Sequence, residues 1–206
     1  MFAGKTLWQA FALGGFSMYL LLVCSILTLG VIIDRYVSFW KKSRVKRAAF
    51  MDRIRDEVKK RDIARAIEIC RDTNAPFARV VLAGLDRAGR SEKVVAGYME
   101  RQITVEMARL ERFTGILGTV GNISVYLGLL GTVLGIIRAF RDITTTGAGG
   151  MDIVIGGVAE ALITTAAGLI IAVPAVIFFN YFTRRVDSFV SDMELCASEV
   201  SDLVAR

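Results

Sequence analysis

The run Gly157-Val158-Ala159-Glu160-Ala161-Leu162-Ile163-Thr164-Thr165-Ala166-Ala167-Gly168-Leu169-Ile170-Ile171-Ala172-Val173-Pro174-Ala175 lies inside a longer stretch, Ile153 to Thr183, whose one charged residue is Glu160. Crossing about 30 Å of hydrocarbon takes roughly 20 apolar residues, so this stretch qualifies as a transmembrane helix. Two more stretches qualify: Thr6 to Ile33 and Phe113 to Ile137 hold no charge at all. The chain is 54% hydrophobic with a mean hydropathy of +0.51, more apolar than a soluble domain of 206 residues usually is. The expected fold is an all-α membrane protein with three transmembrane helices. The first stretch is much longer than the apolar core of a signal peptide, and it ends at Ile33-Asp34-Arg35-Tyr36 with no small-residue cleavage site, so it reads as a retained helix.

Charge sets the orientation. Lys41 to Arg112 carries 19 of the 26 lysines and arginines, which places it in the cytoplasm by the positive-inside rule. The same segment holds 11 acidic residues and no aromatic stacking platform, so a nucleic-acid surface is not expected. The chain divides into an outer N-terminal segment 1–15, a first span 16–36, a cytoplasmic loop 37–112, a second span 113–139, a short outer loop 140–152, a third span 153–183 and a cytoplasmic C-terminal helix 184–206.

Within the cytoplasmic loop, Asp62 is a candidate N-cap for Ile63 to Cys70, Pro76 can open the next helix, and Ser91 is a further N-cap candidate. Val95, Met99, Ile103, Met107 and Leu110 form an apolar stripe at helical spacing. No proline falls between Ser91 and Phe140, which predicts one long helix continuing through the second span. Val186, Phe189, Val190, Met193, Ala197, Val200 and Leu203 extend the third span in the same manner. The second and third spans are therefore expected to reach into a cytoplasmic helical bundle.

The second span holds Gly128, Gly131 and Gly135, the last two a GxxxG step; the third holds Gly157 and Gly168. Small residues let helices approach closely where lipid supplies no hydrophobic drive, so these glycines are expected to serve helix packing. The first span, rich in Leu20, Leu21, Leu22, Val23, Ile26 and Leu27, reads as the lipid-facing member. A packed interior built from two helices suggests an oligomer. Pro174 is expected to bend the third span.

A carboxylate at the centre of a span costs on the order of 3 kcal/mol, so Glu160 is expected to face a cavity or a partner. Burial would favour its protonated form, which makes it a candidate proton site. Its alternative role is structural, paired with a cation or hydroxyls and holding the assembly together. Thr164, one turn on, shares its face, and Thr165 is turned about 140° away. Lone threonines in spans commonly bond back to their own helix. The three cysteines, Cys24, Cys70 and Cys196, form neither a disulfide framework nor a metal motif. The chain has no histidine, no paired intramembrane aspartates and no GxSxG, which leaves no nucleophile with a base; neither an enzyme nor a resident cofactor is expected.

The stretch Tyr126-Leu127-Gly128-Leu129-Leu130-Gly131-Thr132-Val133-Leu134-Gly135-Ile136-Ile137 and the third-span run quoted at the outset resemble the signatures of the MotA/TolQ/ExbB proton-channel family, nearest its TolQ/ExbB branch. Val125, Leu134, Arg138 and Thr164 depart from the usual pattern. The resemblance implies a homopentamer around a central pore in the bacterial inner membrane. It implies a single-span ExbD- or TolR-like partner inside the pore, and a TonB- or TolA-like protein beyond it. Protons would be the transported ion, taken up on a partner aspartate. Thr132, Thr165 and Glu160 match the family's pore-lining positions, with Thr164 beside them. Iron-complex uptake, envelope maintenance and gliding motility are the processes such motors power.

Overall fold

The computed structural model describes residues 15–43, 45–146 and 150–204. Within them every regular element is a helix: α1 Gly15–Lys42, α2 Arg47–Lys59, α3 Ile63–Asp72, α4 Pro76–Leu85, α5 Glu92–Glu111, α6 Thr114–Thr146 and α7 Gly150–Val204. Three of these, α1, α6 and α7, are long and apolar enough to cross a membrane. The chain is a multi-pass membrane protein of three such helices, whose surfaces expose Leu22, Ile26, Val133, Leu162 and Ile170 as lipid-facing residues would be. The expected N-terminal segment, apart from Gly15, and residues 147–149 of the expected outer loop fall outside the described residues.

Two compact units divide the chain: residues 1–33 with 113–180, and residues 34–112 with 181–206. In the second unit the local signals act as the sequence suggests. The Asp62 carboxylate accepts the Arg65 backbone N–H at 2.9 Å and starts α3. Pro76 occupies the first turn of α4. Ser91 sits at the N-cap of α5, although its side chain makes no capping bond there. Phe50 and Phe77 meet at 5.2 Å between ring centroids, and Ile54, Val80, Val81, Met99, Met193 and Val200 are buried with them.

The single helix expected from Ser91 to Phe140 is not formed. It breaks between α5 and α6, where Arg112 leaves helical geometry (ψ 130°) and Phe113 takes φ +67°. The break has a visible support. The buried Arg35 side chain donates to the Leu110 carbonyl at 3.5 Å and pairs with Asp34 at 2.6 Å, placing a cation against the last carbonyls of α5. The absence of proline was an insufficient criterion, because a left-handed residue ends a helix as effectively.

The α5 stripe is also rotated. Val95, Met99 and Leu110 are buried as expected, but Met107 is exposed, and the fourth buried position belongs to Glu106. Its carboxylate takes Arg79 at 2.9 Å and Arg109 at 2.7 Å and accepts a bond from Gln102 at 3.1 Å. An acid so partnered can occupy a core position that a count of apolar side chains assigns elsewhere. On α7, Cys196 likewise joins the buried Val186, Phe189, Met193 and Val200.

Candidate functional site: the α6–α7 seam

Glycines on α6 and α7 set how closely the two helices approach. A Cβ added at Gly121 would lie 2.7 Å from Val176, at Gly128 3.0 Å from the Thr165 Cα, at Gly135 2.7 Å from Ala161, and at Gly157 2.5 Å from Ala139. At Gly168 it would lie 2.5 Å from the Ser124 carbonyl oxygen. The partners descend along α7 as they ascend along α6, so the helices run antiparallel. Gly131 meets Thr164, which is 1% exposed. The spans have no hydrophobic force to press them together in lipid, and a backbone-to-backbone seam of this kind supplies dispersion contact instead. α1 joins from one side: Ser17 Cβ lies 3.4 Å from the Cβ position of Gly131, and Ser17, Met18, Leu21 and Thr28 are buried while Leu22, Val23 and Ile26 are exposed. Leu21 therefore belongs to the packed side of the first span and not to its lipid face.

The structure divides the four candidate polar residues. Glu160 and Thr164 line a cavity of about 250 Å³ with Ser17 of α1 and Gly135, Arg138 and Asp142 of α6. Glu160 is half-buried and has neither a hydrogen bond nor an ion pair among the described residues. Its carboxylate thus faces a space with room for water, bordered by one cation and a second acid. Such a group can exchange a proton with water entering the cavity.

Thr132 and Thr165 are not among the residues that line this cavity. The Thr165 hydroxyl donates across the seam to the Gly128 carbonyl at 3.0 Å. The Thr132 hydroxyl donates within its own helix to the Leu129 carbonyl at 2.7 Å. Of the packing residues, Gly128, Gly131, Gly135, Gly157 and Gly168 all lie in the seam. Pro174 lies inside the uninterrupted helix α7 and is exposed.

Ser17, Arg138 and Asp142 are the polar cavity residues that the sequence reading did not place beside Glu160. A signal for two of them was present. Gly131, Gly135, Arg138 and Asp142 follow one another at four, three and four residues, the spacing of one helix face, and α6 continues to Thr146 where a loop from 140 was expected. Ser17 carries no such signal, because it reaches the site from another helix.

Comparison with known proteins identifies the family. Residues 72–195 match the model of the MotA/TolQ/ExbB proton channel family. The biopolymer transport protein ExbB of Xanthomonas campestris is 32% identical over 189 residues, covering 82% of this chain and 74% of that protein. The protein of the same name from Salmonella typhimurium is 31% identical over 202 residues, covering 90% and 79%. The Tol-Pal system protein TolQ of Pseudomonas aeruginosa is 40% identical over 112 residues, covering 54% and 48%.

Proposed function

Because the chain belongs to the MotA/TolQ/ExbB proton channel family, a group of membrane proton-driven motor subunits and not an enzyme family, we propose that it is the pore-forming subunit of such a motor in the bacterial inner membrane. Five copies surround a central pore, with the N-terminus outside and the 37–112 loop and C-terminus in the cytoplasm. The pore holds the single-span helices of an ExbD- or TolR-like partner. The ion is the proton, and the work goes to outer-membrane transport or to envelope processes through a TonB- or TolA-like protein.

The observation that carries this reading is Glu160: an unpaired carboxylate, among the described residues, facing a cavity in a span that is otherwise uncharged. Thr132 and Thr165 supply further polar groups on α6 and α7, and the partner's aspartate is the main proton carrier. A potential of about 100 mV delivers roughly 2.3 kcal/mol per proton, enough for a rotation to be driven in steps.

A scaffold without its own proton path is favoured by one observation, the Thr165 hydroxyl tied across the seam to Gly128. Glu160→Ala and Thr165→Val separate the two readings. A motor subunit loses energised transport or motility in both variants while the complex keeps its native size on detergent gels. Normal work in both contradicts the motor reading, and loss of the oligomer itself supports the scaffold.

A further inference from the structure

The cavity beside Glu160 is lined by oxygen. Glu160, Asp142, Ser17 and Thr164 bring two carboxyl groups and two hydroxyls to a space of about 250 Å³. Oxygen donors of this kind are what hard metal cations bind. The remaining charged residue of the lining is Arg138. A guanidinium keeps its charge in proteins and carries only donors, with no lone pair to offer a metal ion. Among the described residues Arg138 makes neither a hydrogen bond nor an ion pair. A cation thus stands in an oxygen-lined cavity without a fixed partner.

Register puts that cation between Glu160 and the end of the seam. Gly135 meets Ala161, and Gly157 meets Ala139. Glu160 is therefore level with the residue after Gly135, and Arg138 lies two residues further on, about 3 Å along α6. That direction leads to the end of α6 that the motor reading places outside. The guanidinium is also located from α1. A Cβ on Gly15 would lie 2.7 and 2.8 Å from its two terminal nitrogens, so the charge rests against the backbone where α1 begins. The flank is not that of the other two polar candidates. Glu160 precedes the seam residue Ala161, whereas Thr132 and Thr165 follow Gly131 and Thr164, and one residue is about 100° of helical turn.

We propose that Arg138 is the ion-specificity residue of this cavity: it stands in for the metal cation that the oxygen lining would otherwise attract, and keeps sodium and potassium from Glu160 while leaving the carboxyl open to protons. The exclusion follows from the cavity itself; its use, keeping a proton site clear of far more abundant metal ions, rests on the motor-subunit reading above. A metal ion needs several oxygens at once. Here it would have to hold them beside a second cation, inside a span where charges are weakly screened. A proton needs one oxygen. It arrives through water, forms a covalent O–H bond on the carboxyl and leaves the guanidinium where it is. The guanidinium is tethered, so it opposes metal ions at every salt concentration.

Protection of Glu160 from a carboxyl reagent tests this. The native complex, purified with its partner and placed in proteoliposomes, is treated with the uncharged diisopropylcarbodiimide at fixed pH and ionic strength, in sodium chloride or in choline chloride. Mass spectrometry follows the label on the Glu160 peptide, with Glu160→Gln as the unlabelled control. In the native complex the labelling rate should be the same in both salts. In Arg138→Gln, at unchanged complex size, sodium should slow labelling by roughly threefold or more, the protection given by an ion at twice its dissociation constant. Arg138→Lys keeps the charge and should behave as the native complex does. Sodium protection of the native complex overturns the proposal, whether or not the variants assemble. So does an Arg138→Gln complex that sodium leaves unprotected, or a native Glu160 that the reagent does not reach. Proton flux through the same proteoliposomes is read separately: a native complex that conducts none overturns the motor reading and leaves the labelling result standing.

Discussion

At Gly168 one methyl group decides whether two helices can meet. Its Cβ would stand 2.5 Å from the Ser124 carbonyl and 3.1 Å from the Gly128 Cα, both backbone atoms with no freedom to turn aside. Gly168→Ala is expected to force the seam apart at a cost of about 1–3 kcal/mol, read as a lower melting temperature of the detergent-solubilised chain. Gly156→Ala, where the added atom meets nothing within 4 Å, serves as the control. The buried thiol of Cys70 gives a second residue-scale expectation. Burial pushes it up to about 12 from an ordinary 9.0. Below pH 9 the thiol is protonated in the folded and the unfolded chain alike. Between about pH 9 and 12 the unfolded chain gives up a proton that the folded chain keeps, so this group's contribution to stability is fully present below that window and declines through it. Cys70 should accordingly resist alkylation at pH 8 in the folded protein and react once it is unfolded, as mass spectrometry of the labelled chain will show.

At the scale of elements, the break between α5 and α6 is the feature most open to mutation. Phe113 holds φ +67°, a region that costs a bulky L-residue roughly 1–2 kcal/mol and glycine nothing. Replacing it separates the side chain from the backbone: Phe113→Gly should be more stable than Phe113→Ala by about 1 kcal/mol in thermal unfolding, and an alanine variant equal to glycine would show the strain to be absent. This element also shows where the sequence was legible. Spans, caps and the glycine seam announce themselves through local rules, hydropathy, Asp62, Pro76 and i+4 spacing, that need no knowledge of the rest of the chain. The helix break does not, because Arg35, 75 positions away from Leu110, helps to end α5. Glu106 is similar. Its burial depends on Arg79 of another helix, and an apolar stripe drawn through Met107 has no means of registering it.

The same division holds at the functional site. Glu160 was conspicuous from composition alone, as the one charge in its span. That it faces a cavity with Ser17 and Arg138, on the flank opposite Thr132 and Thr165, follows only from the antiparallel register of α6 and α7, which a motif read along one helix does not contain. The polar groups thus differ in their surroundings within one protomer: Glu160 lines a cavity, while the Thr132 and Thr165 hydroxyls are bonded to carbonyls of α6.

For the whole molecule, the central claim is that this chain, assembled with its partner, carries protons and that Glu160 belongs to their path. Proteoliposomes containing the native complex, loaded with a pH-sensitive dye and held at about 100 mV, measure it directly. The native complex should acidify the lumen well above the rate of lipid alone, and a complex of unchanged size carrying Glu160→Ala should fall to the lipid rate. Native flux with Glu160→Ala would contradict the claim.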